Sequence, residues 1–289
     1  MHYEGTIIRP PSEAFSIILQ VTVGCSHNKC TFCGTYKGRR FKIKPESIVM
    51  KDIDFAAHYC THQRRVFLTD GDSLILPQEK LLSLLRTIRS RLPWVTRIGL
   101  YANVKSIRMK NLDELKVLRE NGLGIVYVGV ESGDDTTLKK IRKGVSAEGI
   151  VAAGKKVKES GIKLSTTILL GVAGRDRSQI HAEKTGMVLS AMDPDHVGAL
   201  SLILLPNTQL YADCREGKFD LITSKEMLEE LKTMFEYTRL SRGLFFANHA
   251  SNYLPIKARL PRDKDATIEL INKAICGKIP LVPEGLRAL

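Results

Sequence analysis

Three of the six cysteines stand within nine residues of one another, at Cys25, Cys30 and Cys33. They follow an apolar run, residues 15–23, that predicts a buried strand. Four thiolates saturate a tetrahedral zinc ion or an iron–sulfur cluster. Three thiolates leave one coordination position open, at which a small molecule can bind. The segment therefore predicts an iron–sulfur cluster with one open iron, and a zinc site is the alternative.

The other three cysteines are dispersed at Cys60, Cys214 and Cys276, where none has a second cysteine at ligand spacing. Cys60 falls on the apolar face of a predicted helix, and we interpret it as a core residue. Cys214 is a candidate hydrogen-atom donor. His27 lies inside the cysteine loop and is a candidate fourth ligand. The open coordination position argues against that role, so we interpret His27 as a loop residue.

The chain carries 44 Lys and Arg against 31 Asp and Glu, a formal charge of +13. Such a charge favours acidic partners such as phosphates, polycarboxylates or nucleic acid, and a generally solvated basic surface is the alternative. No apolar run reaches the length of a membrane span, and the N-terminus lacks the order of a signal peptide. We therefore expect a cytoplasmic protein, whose thiols stay reduced.

Apolar strand patterns alternate with amphipathic helix patterns along the first 205 residues. Strands that are apolar throughout are typical of a parallel sheet covered on both faces. A complete eight-unit barrel needs about 250 residues, so the pattern predicts an α/β fold, an incomplete (β/α)6 barrel of parallel strands. We expect an N-terminal arm at 1–14, the partial barrel at 15–215, and a C-terminal helical extension at 216–289 that closes the barrel or faces the substrate. The predicted strands are residues 15–23, 66–69, 97–103, 125–130, 163–170 and 197–205.

Motifs at successive strand ends resemble those of the radical S-adenosylmethionine superfamily. The first is the cysteine loop, whose four-then-two spacing departs from the usual three-then-two. The others are Asp70-Gly71-Asp72-Ser73, which resembles a Gly-Gly-Glu segment, Glu131-Ser132-Gly133, and the endings at 169–171 and 205–208. Within the superfamily, the chain resembles the group of oxygen-independent coproporphyrinogen oxidases and tRNA methylthiotransferases.

The resemblance implies which residues meet the cofactor. Phe32 matches the aromatic residue near the adenine, and the segment 70–73 matches the backbone that meets the methionyl amino group. Lys143 stands where the group places an Arg near the methionyl carboxylate, and Lys is the weaker ligand for a carboxylate. A plain turn at 70–73, a buried ion pair for Glu131 and a solvated Lys143 are the alternatives. Tyr101 and Asn103 are further candidates, and they fit a core tyrosine and a helix cap equally well. The implied cofactor residues are Phe32, Asp70, Gly71, Asp72, Ser73, Glu131, Ser132, Lys143 and Leu169.

By resemblance, a [4Fe–4S] cluster held by Cys25, Cys30 and Cys33 cleaves S-adenosylmethionine reductively to a 5′-deoxyadenosyl radical, which abstracts hydrogen from a substrate. This implies a low-potential electron donor such as a flavodoxin or ferredoxin. The substrate is expected to be a small or medium anionic molecule, since no RNA-binding module is visible, with RNA modification as an alternative. The reaction subclass, whether oxidoreductase, lyase or transferase, stays open. An iron–sulfur or zinc protein for binding or electron transfer, without radical chemistry, is the other class.

The C-terminal third holds the candidates for the substrate side. His249, Asn252 and Tyr253 form a polar and aromatic set unlike their surroundings, and we expect them to line that side. A basic run at residues 37–44 follows the cysteine loop. It is a candidate for binding phosphates or carboxylates, and a solvated loop face is the alternative.

Overall fold

The computed structural model describes residues 1–288, and its main feature is one mostly parallel sheet. Eight strands follow one another in the order β1-β4-β5-β6-β7-β8-β9-β10, and β2 pairs with β3 separately. Every pairing described from β1 to β9 is parallel, whereas β10 runs antiparallel to β9. The strands are β1 (Ile17–Gln20), β2 (Thr22–Val23), β3 (Lys42–Ile43), β4 (Arg65–Thr69), β5 (Arg97–Ala102), β6 (Leu123–Glu131), β7 (Lys163–Leu170), β8 (His196–Ser201), β9 (Gly243–Phe246) and β10 (Lys257–Leu260).

The helices begin where the sequence offers N-terminal signals. Asn103, Asn111 and Thr223 each cap a helix and form a reciprocal capping box with the third helical residue. Each such cap is worth about 1 kcal/mol. The helices are α1 (Glu46–Tyr59), α2 (Gln78–Arg91), α3 (Val104–Arg108), α4 (Leu112–Glu120), α5 (Asp135–Lys140), α6 (Ala147–Glu159), α7 (Ser178–Met192), α8 (Gln209–Arg215), α9 (Ser224–Tyr237) and α10 (Lys264–Ile275), with short 3-10 turns at Pro11–Glu13, Ser73–Ile75, Arg175–Arg177 and Glu284–Leu286.

Consecutive residues of the strands are buried, which explains why their sequences read as continuous apolar runs. In β4, Val66, Phe67 and Leu68 are all 0% exposed. Neighbouring strand residues point to opposite faces, so both faces of this strand are covered. The predicted α/β class with parallel strands is confirmed.

The chain divides into two compact units. The first comprises residues 1–28, 35–128 and 156–164, and the second comprises 29–34, 129–155 and the chain from 165 onward. In the first unit, β1, β4, β5 and the start of β6 pair in parallel. Phe67 packs edge-on against Tyr101 and Tyr127, with ring centroids 4.9 and 5.5 Å apart.

In the second unit, β7, β8 and β9 pair in parallel, and α7 packs along α9. The C-terminal segment was expected to be helical, yet it also supplies β9 and β10. Both strands have only four residues, and β10 alternates exposed Lys257 and Arg259 with buried Ala258 and Leu260. Such an alternation is typical of a strand covered on one face only.

Two predicted strands are also shorter in the structure. The run 15–23 divides into β1 and β2, and Phe15 is 82% exposed. The predicted strand 197–205 ends at Ser201. No helix within residues 1–288 combines the length and apolarity needed to cross a membrane.

Candidate active site

Asp70 binds both ends of the segment that carries the cysteines. Its Oδ2 accepts a hydrogen bond from the backbone N–H of Gly24, at 3.4 Å, and its Oδ1 accepts the Tyr36 hydroxyl hydrogen bond. Gly24 precedes Cys25, and Tyr36 follows Cys33. The carboxyl group is fully buried, and burial raises its pKa. Asp70 therefore ties the start and the end of the cysteine segment to the end of β4.

Gly71 is a glycine because Cys25 lies against it. A Cβ at this position would stand 3.0 Å from Cys25 Cβ and 2.8 Å from Tyr36 Cε2. The 2.8 Å distance is shorter than real Cβ contacts and the 3.0 Å distance is tighter than most of them, so a larger residue would displace the tyrosine ring or the cysteine. The 70–73 segment thus packs directly against the first cysteine. Its predicted contact with the methionyl amino group stays a prediction.

Asp72 organises the hydroxyl and amide groups around the start of the cysteine loop. Its Oδ2 accepts from Ser26 Oγ and Asn103 Nδ2, both at 2.6 Å, and its Oδ1 accepts from Ser106 Oγ at 2.7 Å. Burial raises the pKa of Asp72 to about 6. Because these groups occupy both carboxylate oxygens, Asp72 acts on the loop through Ser26 and the end of β5.

Three further residues predicted for the cofactor have structural partners within the first unit. Asn103 caps α3, and Tyr101 belongs to the aromatic core cluster. Ser73 is fully buried and donates to the Leu68 carbonyl at 3.0 Å. The helix-cap and core interpretations of Asn103 and Tyr101 are therefore realised, and a cofactor contact by these residues stays a prediction.

The second half of the cysteine loop, residues 29–34, is held within the second unit. Thr31 N–H donates to the Ile141 carbonyl at 3.0 Å, and the Thr31 carbonyl accepts from Leu210 N–H at 2.9 Å. Asn207, from the predicted 205–208 motif, donates its Nδ2 to the Gly34 carbonyl at 2.9 Å. Backbone bonds of this kind order the loop on both sides of Cys33. Phe32 is half-buried in this stretch.

All six cysteines are free thiols, and Cys25, Cys30 and Cys33 are half-buried. Within residues 1–288, no single unit by itself brings three His, Cys, Asp or Glu side chains together as ligands of one metal. Cys25 belongs to the first unit, whereas Cys30 and Cys33 belong to the second. Three reduced thiols on one short ordered loop are the donor set that an iron–sulfur cluster takes. By the chemistry of the donors, the residues therefore fit this group.

Glu131 and Lys143, twelve residues apart in sequence, form an ion pair of 2.8 Å between Oε1 and Nζ. Glu131 ends β6 with a positive φ of 63° and is 9% exposed. A Cβ on Gly129 would stand 2.2 Å from Glu131 Oε1 and 2.9 Å from Lys143 Nζ. The pair therefore lies directly over the Gly129 backbone, and the alternative of a buried ion pair for Glu131 is realised.

Ser132 belongs to a buried polar network in the second unit. Its Oγ lies 2.7 Å from His181 Nδ1, and it accepts from Asp134 N–H at 3.0 Å. His181 Nε2 lies 3.4 Å from Glu230 Oε1. Leu169, near the end of β7, is 8% exposed. Sequence reasoning missed His181 and Glu230, since a lone His or Glu within a helix pattern gives no signal.

Asp134 is a second charge centre that the sequence analysis did not single out. Its side chain is fully buried and accepts from Arg177 Nε at 2.8 Å, Lys184 Nζ at 3.1 Å and Thr137 N–H at 3.0 Å. Hydrogen bonds from these cationic side chains, with the cap bond, hold the pKa of Asp134 well below its usual range. The Asp134 carboxylate thus fixes the turn that follows Ser132.

His249, Asn252 and Tyr253 lie on one loop between β9 and β10. Asn252 Nδ2 donates to the Ala199 carbonyl at 2.8 Å, and its Oδ1 accepts from Ser201 Oγ at 3.0 Å. Burial lowers the pKa of His249 and raises that of Tyr253 to about 12. The loop is therefore fastened to the end of β8.

Arg287 holds the same loop from its other side. Its Nε donates to the Ser251 carbonyl at 2.7 Å, and its Nη2 donates to the Leu202 carbonyl at 2.9 Å. The guanidinium also lies 4.1 Å from the centre of the Tyr253 ring. Tyr253 is therefore in contact with Arg287. Its position on the substrate side stays a prediction.

The basic run 37–44 is largely used inside the first unit. Lys42 pairs with Glu4 at 2.7 Å, and Lys37 donates to the Asn28 carbonyl at 3.2 Å. Lys44 is buried and lies 4.0 Å from the Asp52 carboxylate. The run thus has less charge free for an anionic ligand than its sequence indicates.

Cys214, the candidate hydrogen-atom donor, lies on α8 and is half-buried.

Residues 19–182 match the model of the Radical SAM superfamily. That match covers more than half of the chain, so the chain belongs to the radical S-adenosylmethionine superfamily and is an enzyme of that class. The cofactors of the family are a [4Fe–4S] cluster and S-adenosylmethionine. The predicted superfamily is therefore confirmed.

The named relatives agree with the predicted group. An uncharacterised protein of Methanocaldococcus jannaschii is 25% identical over 86% of this chain and 76% of its own length. The heme chaperone HemW of Bacillus subtilis is 23% identical over 57% of this chain and 44% of its own. A tRNA-2-methylthio-N(6)-dimethylallyladenosine synthase of Dehalococcoides mccartyi is 29% identical over 68% of this chain and 48% of its own. The chain thus spans about half the length of the two relatives with a named activity.

Among solved structures, methylornithine synthase has a similar fold. Its TM-score is 0.54 at 21% identity, and the match covers 77% of this chain and 63% of that one. At this identity the likeness shows the fold alone. It agrees with the predicted incomplete barrel of parallel strands.

Proposed function

We propose that Cys25, Cys30 and Cys33 hold the [4Fe–4S] cluster and that the strand ends at 70–73 and 131–132 hold S-adenosylmethionine. When bound, this pair of cofactors supplies one-electron cleavage of S-adenosylmethionine and abstraction of hydrogen from a substrate. The single observation that carries the assignment is the fastening of the cysteine segment by Asp70, which binds Gly24 N–H and the Tyr36 hydroxyl at the end of β4.

The chain's own residues supply position and charge for this chemistry. The Gly71 backbone lies against Cys25, so its polar groups are the ones available beside the first cluster ligand. Lys143 offers a cation for the methionyl carboxylate, and Glu131 holds its ammonium at 2.8 Å. Phe32 offers a ring for the adenine. Ordering these groups in advance reduces the freedom that must be lost when the cofactor binds.

For the substrate, we propose a small or medium anionic molecule from which the radical abstracts a hydrogen atom. The formal charge of +13 supports an anion. The loop with His249 and Asn252, at the end of β8, is the proposed substrate side. The reducing electron would come from a low-potential donor protein such as a flavodoxin or ferredoxin. RNA is the other substrate class, named by the relative from Dehalococcoides mccartyi.

The test is an anaerobic reconstitution with iron and sulfide, followed by dithionite and S-adenosylmethionine. We expect about four irons per chain, an electron paramagnetic resonance signal that changes when S-adenosylmethionine is added, and release of 5′-deoxyadenosine. Replacing Cys30 by Ala should abolish all three. A protein that takes up zinc and no iron would overturn the cluster assignment.

The substrate is found by the same assay. Release of 5′-deoxyadenosine should rise with an anionic metabolite fraction and stay at its basal rate with bulk tRNA. A rise with tRNA alone would favour RNA modification instead. Whether S-adenosylmethionine is consumed or regenerated follows from the ratio of 5′-deoxyadenosine to product. His249→Ala should lower product formation and leave basal cofactor cleavage unchanged, and unchanged turnover would remove His249 from the substrate side.

A further inference from the structure

A buried polar network joins α9 to the turn that follows β6. Glu230, on α9, is 2% exposed, and His181, on α7, is 0% exposed. The ring of His181 stands between the two ends of this network, with Nδ1 2.7 Å from Ser132 Oγ and Nε2 3.4 Å from Glu230 Oε1. The family match ends at residue 182, so Glu230 is supplied by a part of the chain beyond it.

The Glu230 carboxylate also binds the end of β7. Its Oε1 accepts from Gly171 N–H at 2.7 Å, and its Oε2 accepts from Ser178 Oγ at 2.5 Å. A buried carboxylate persists only where donors surround it, and a donor left behind without its acceptor costs free energy. Glu230 therefore holds the backbone after Leu170 in place, and the same carboxylate lies 3.4 Å from the His181 ring.

The His181 ring is held in one orientation. Its Nδ1 lies 2.7 Å from Ser132 Oγ and 3.3 Å from Thr185 Oγ1, and Ser132 Oγ also accepts from Asp134 N–H. Among residues 1–288, no group makes a well-formed hydrogen bond to Nε2. The contact to Glu230 is therefore long, and a small shift of α9 or of the turn would shorten it.

α7 also packs closely against this turn. Gly133 N–H donates to Thr185 Oγ1 at 2.8 Å, and a Cβ on Gly133 would stand 2.3 Å from the Lys184 carbonyl oxygen. The turn at Ser132 and Gly133 thus has little freedom to move independently of α7. Any change at His181 is transmitted to Ser132, which follows directly after Glu131.

We propose that Glu230 and His181 are positioning residues for the Ser132 turn, through which the packing of α9 sets the affinity for S-adenosylmethionine. The proposal rests on the proposed function, since it takes the turn at 131–132 to bind the cofactor. It assigns to the C-terminal segment a role at the cofactor site in addition to any role at the substrate. Neither residue touches the cofactor in this scheme; both act through Ser132.

The test measures the dissociation constant of S-adenosylmethionine on the anaerobically reconstituted enzyme, from the cofactor-induced change of its electron paramagnetic resonance signal. Glu230→Gln keeps the shape and an acceptor for Gly171 N–H. It should weaken binding about tenfold, which corresponds to the loss of one charge-assisted contact. His181→Gln should weaken it similarly, with iron content unchanged in both. Glu229→Gln, the same change at the exposed neighbouring position, is the matched control and should have no effect.

A double-mutant cycle shows whether the path runs through Ser132. If it does, Glu230→Gln should add little to the effect of Ser132→Ala on the dissociation constant. Variants with lower melting temperature but affinity within twofold of the native enzyme would overturn the proposal, as would effects of Glu230→Gln and Ser132→Ala that simply add. A native enzyme with a full cluster and no response to S-adenosylmethionine would overturn the proposed function, and this proposal with it.

Discussion

The Lys143 ammonium lies 2.8 Å from the Glu131 carboxylate, and this pair spans the glycine that precedes them at position 129. Both residues were predicted as separate cofactor contacts, yet each is also the other's partner. The 2.8 Å contact holds both side chains in place. One residue of the pair therefore cannot be changed without affecting the other.

Replacing Lys143 by Met should lower both stability and cofactor affinity. It leaves the mostly buried Glu131 carboxylate without this ammonium, which costs about 1–3 kcal/mol. Thermal unfolding of the cofactor-free protein measures that cost. In the double variant Glu131→Gln with Lys143→Met, the melting temperature should recover while the affinity for S-adenosylmethionine stays low. Recovery of both would show that the pair has only a structural role.

Gly71→Ala should reduce the iron bound after reconstitution. The new methyl group would stand 3.0 Å from Cys25 Cβ and 2.8 Å from the Tyr36 ring, so the cysteine or the ring must move. Gly285→Ala is the control, because no atom lies within 4 Å of its added Cβ. Iron and sulfide assays compare the two variants. Full iron content in Gly71→Ala would contradict a close approach of this backbone to a cluster ligand.

Tyr36→Phe tests the closure of the cysteine segment by Asp70. The phenyl ring keeps the packing against Gly71, and only the hydrogen bond to the carboxyl group is lost. A side-chain hydrogen bond contributes about 0.5–1.5 kcal/mol, so the cluster should be lost about two- to tenfold faster to a chelator. The decay of the cluster's visible absorbance measures this rate. Tyr59→Phe, which removes a hydroxyl at a 73% exposed position, should decay like the native protein.

His249 should make the protein less stable in weak acid. Burial lowers its pKa in the folded state, so the unfolded chain takes up a proton more readily below its ordinary pKa of about 6.5. Stability contributed by His249 is therefore lost as the pH falls through this window and regained as it rises. The drop in melting temperature from pH 7.5 to pH 5.5 should be smaller in His249→Asn than in the control His62→Asn, in which an exposed histidine is replaced. Equal drops would show that His249 is not the responsible group.

The strand ends could be predicted because each one is marked by a local pattern in the sequence. Each apolar run is followed by its motif, so the positions of Cys25, Asp70 and Glu131 after their strands came directly from the pattern. The resemblance indicated a role for the segment 70–73, and the structure adds the close contact between Gly71 and Cys25.

The partnerships between these motifs could not be predicted. Tyr36 meets Asp70 only because the cysteine segment returns to β4, and His181 meets Glu230 only because α7 packs along α9. Sequence spacing carries no information on such contacts. The short strands β9 and β10 were missed for a related reason, since four residues give too brief a pattern and their pairing with β8 is decided by tertiary packing.

The loop at 247–256 is tied on two sides, to β8 through Asn252 and to the C-terminal tail through Arg287. The loop has therefore already lost conformational entropy of its backbone and of these anchored side chains in the folded enzyme. A molecule that binds this loop meets a rigid template, so its affinity depends on shape and charge match more than on the cost of ordering the protein. Loosening Arg287 would convert the same contacts into weaker and less selective ones.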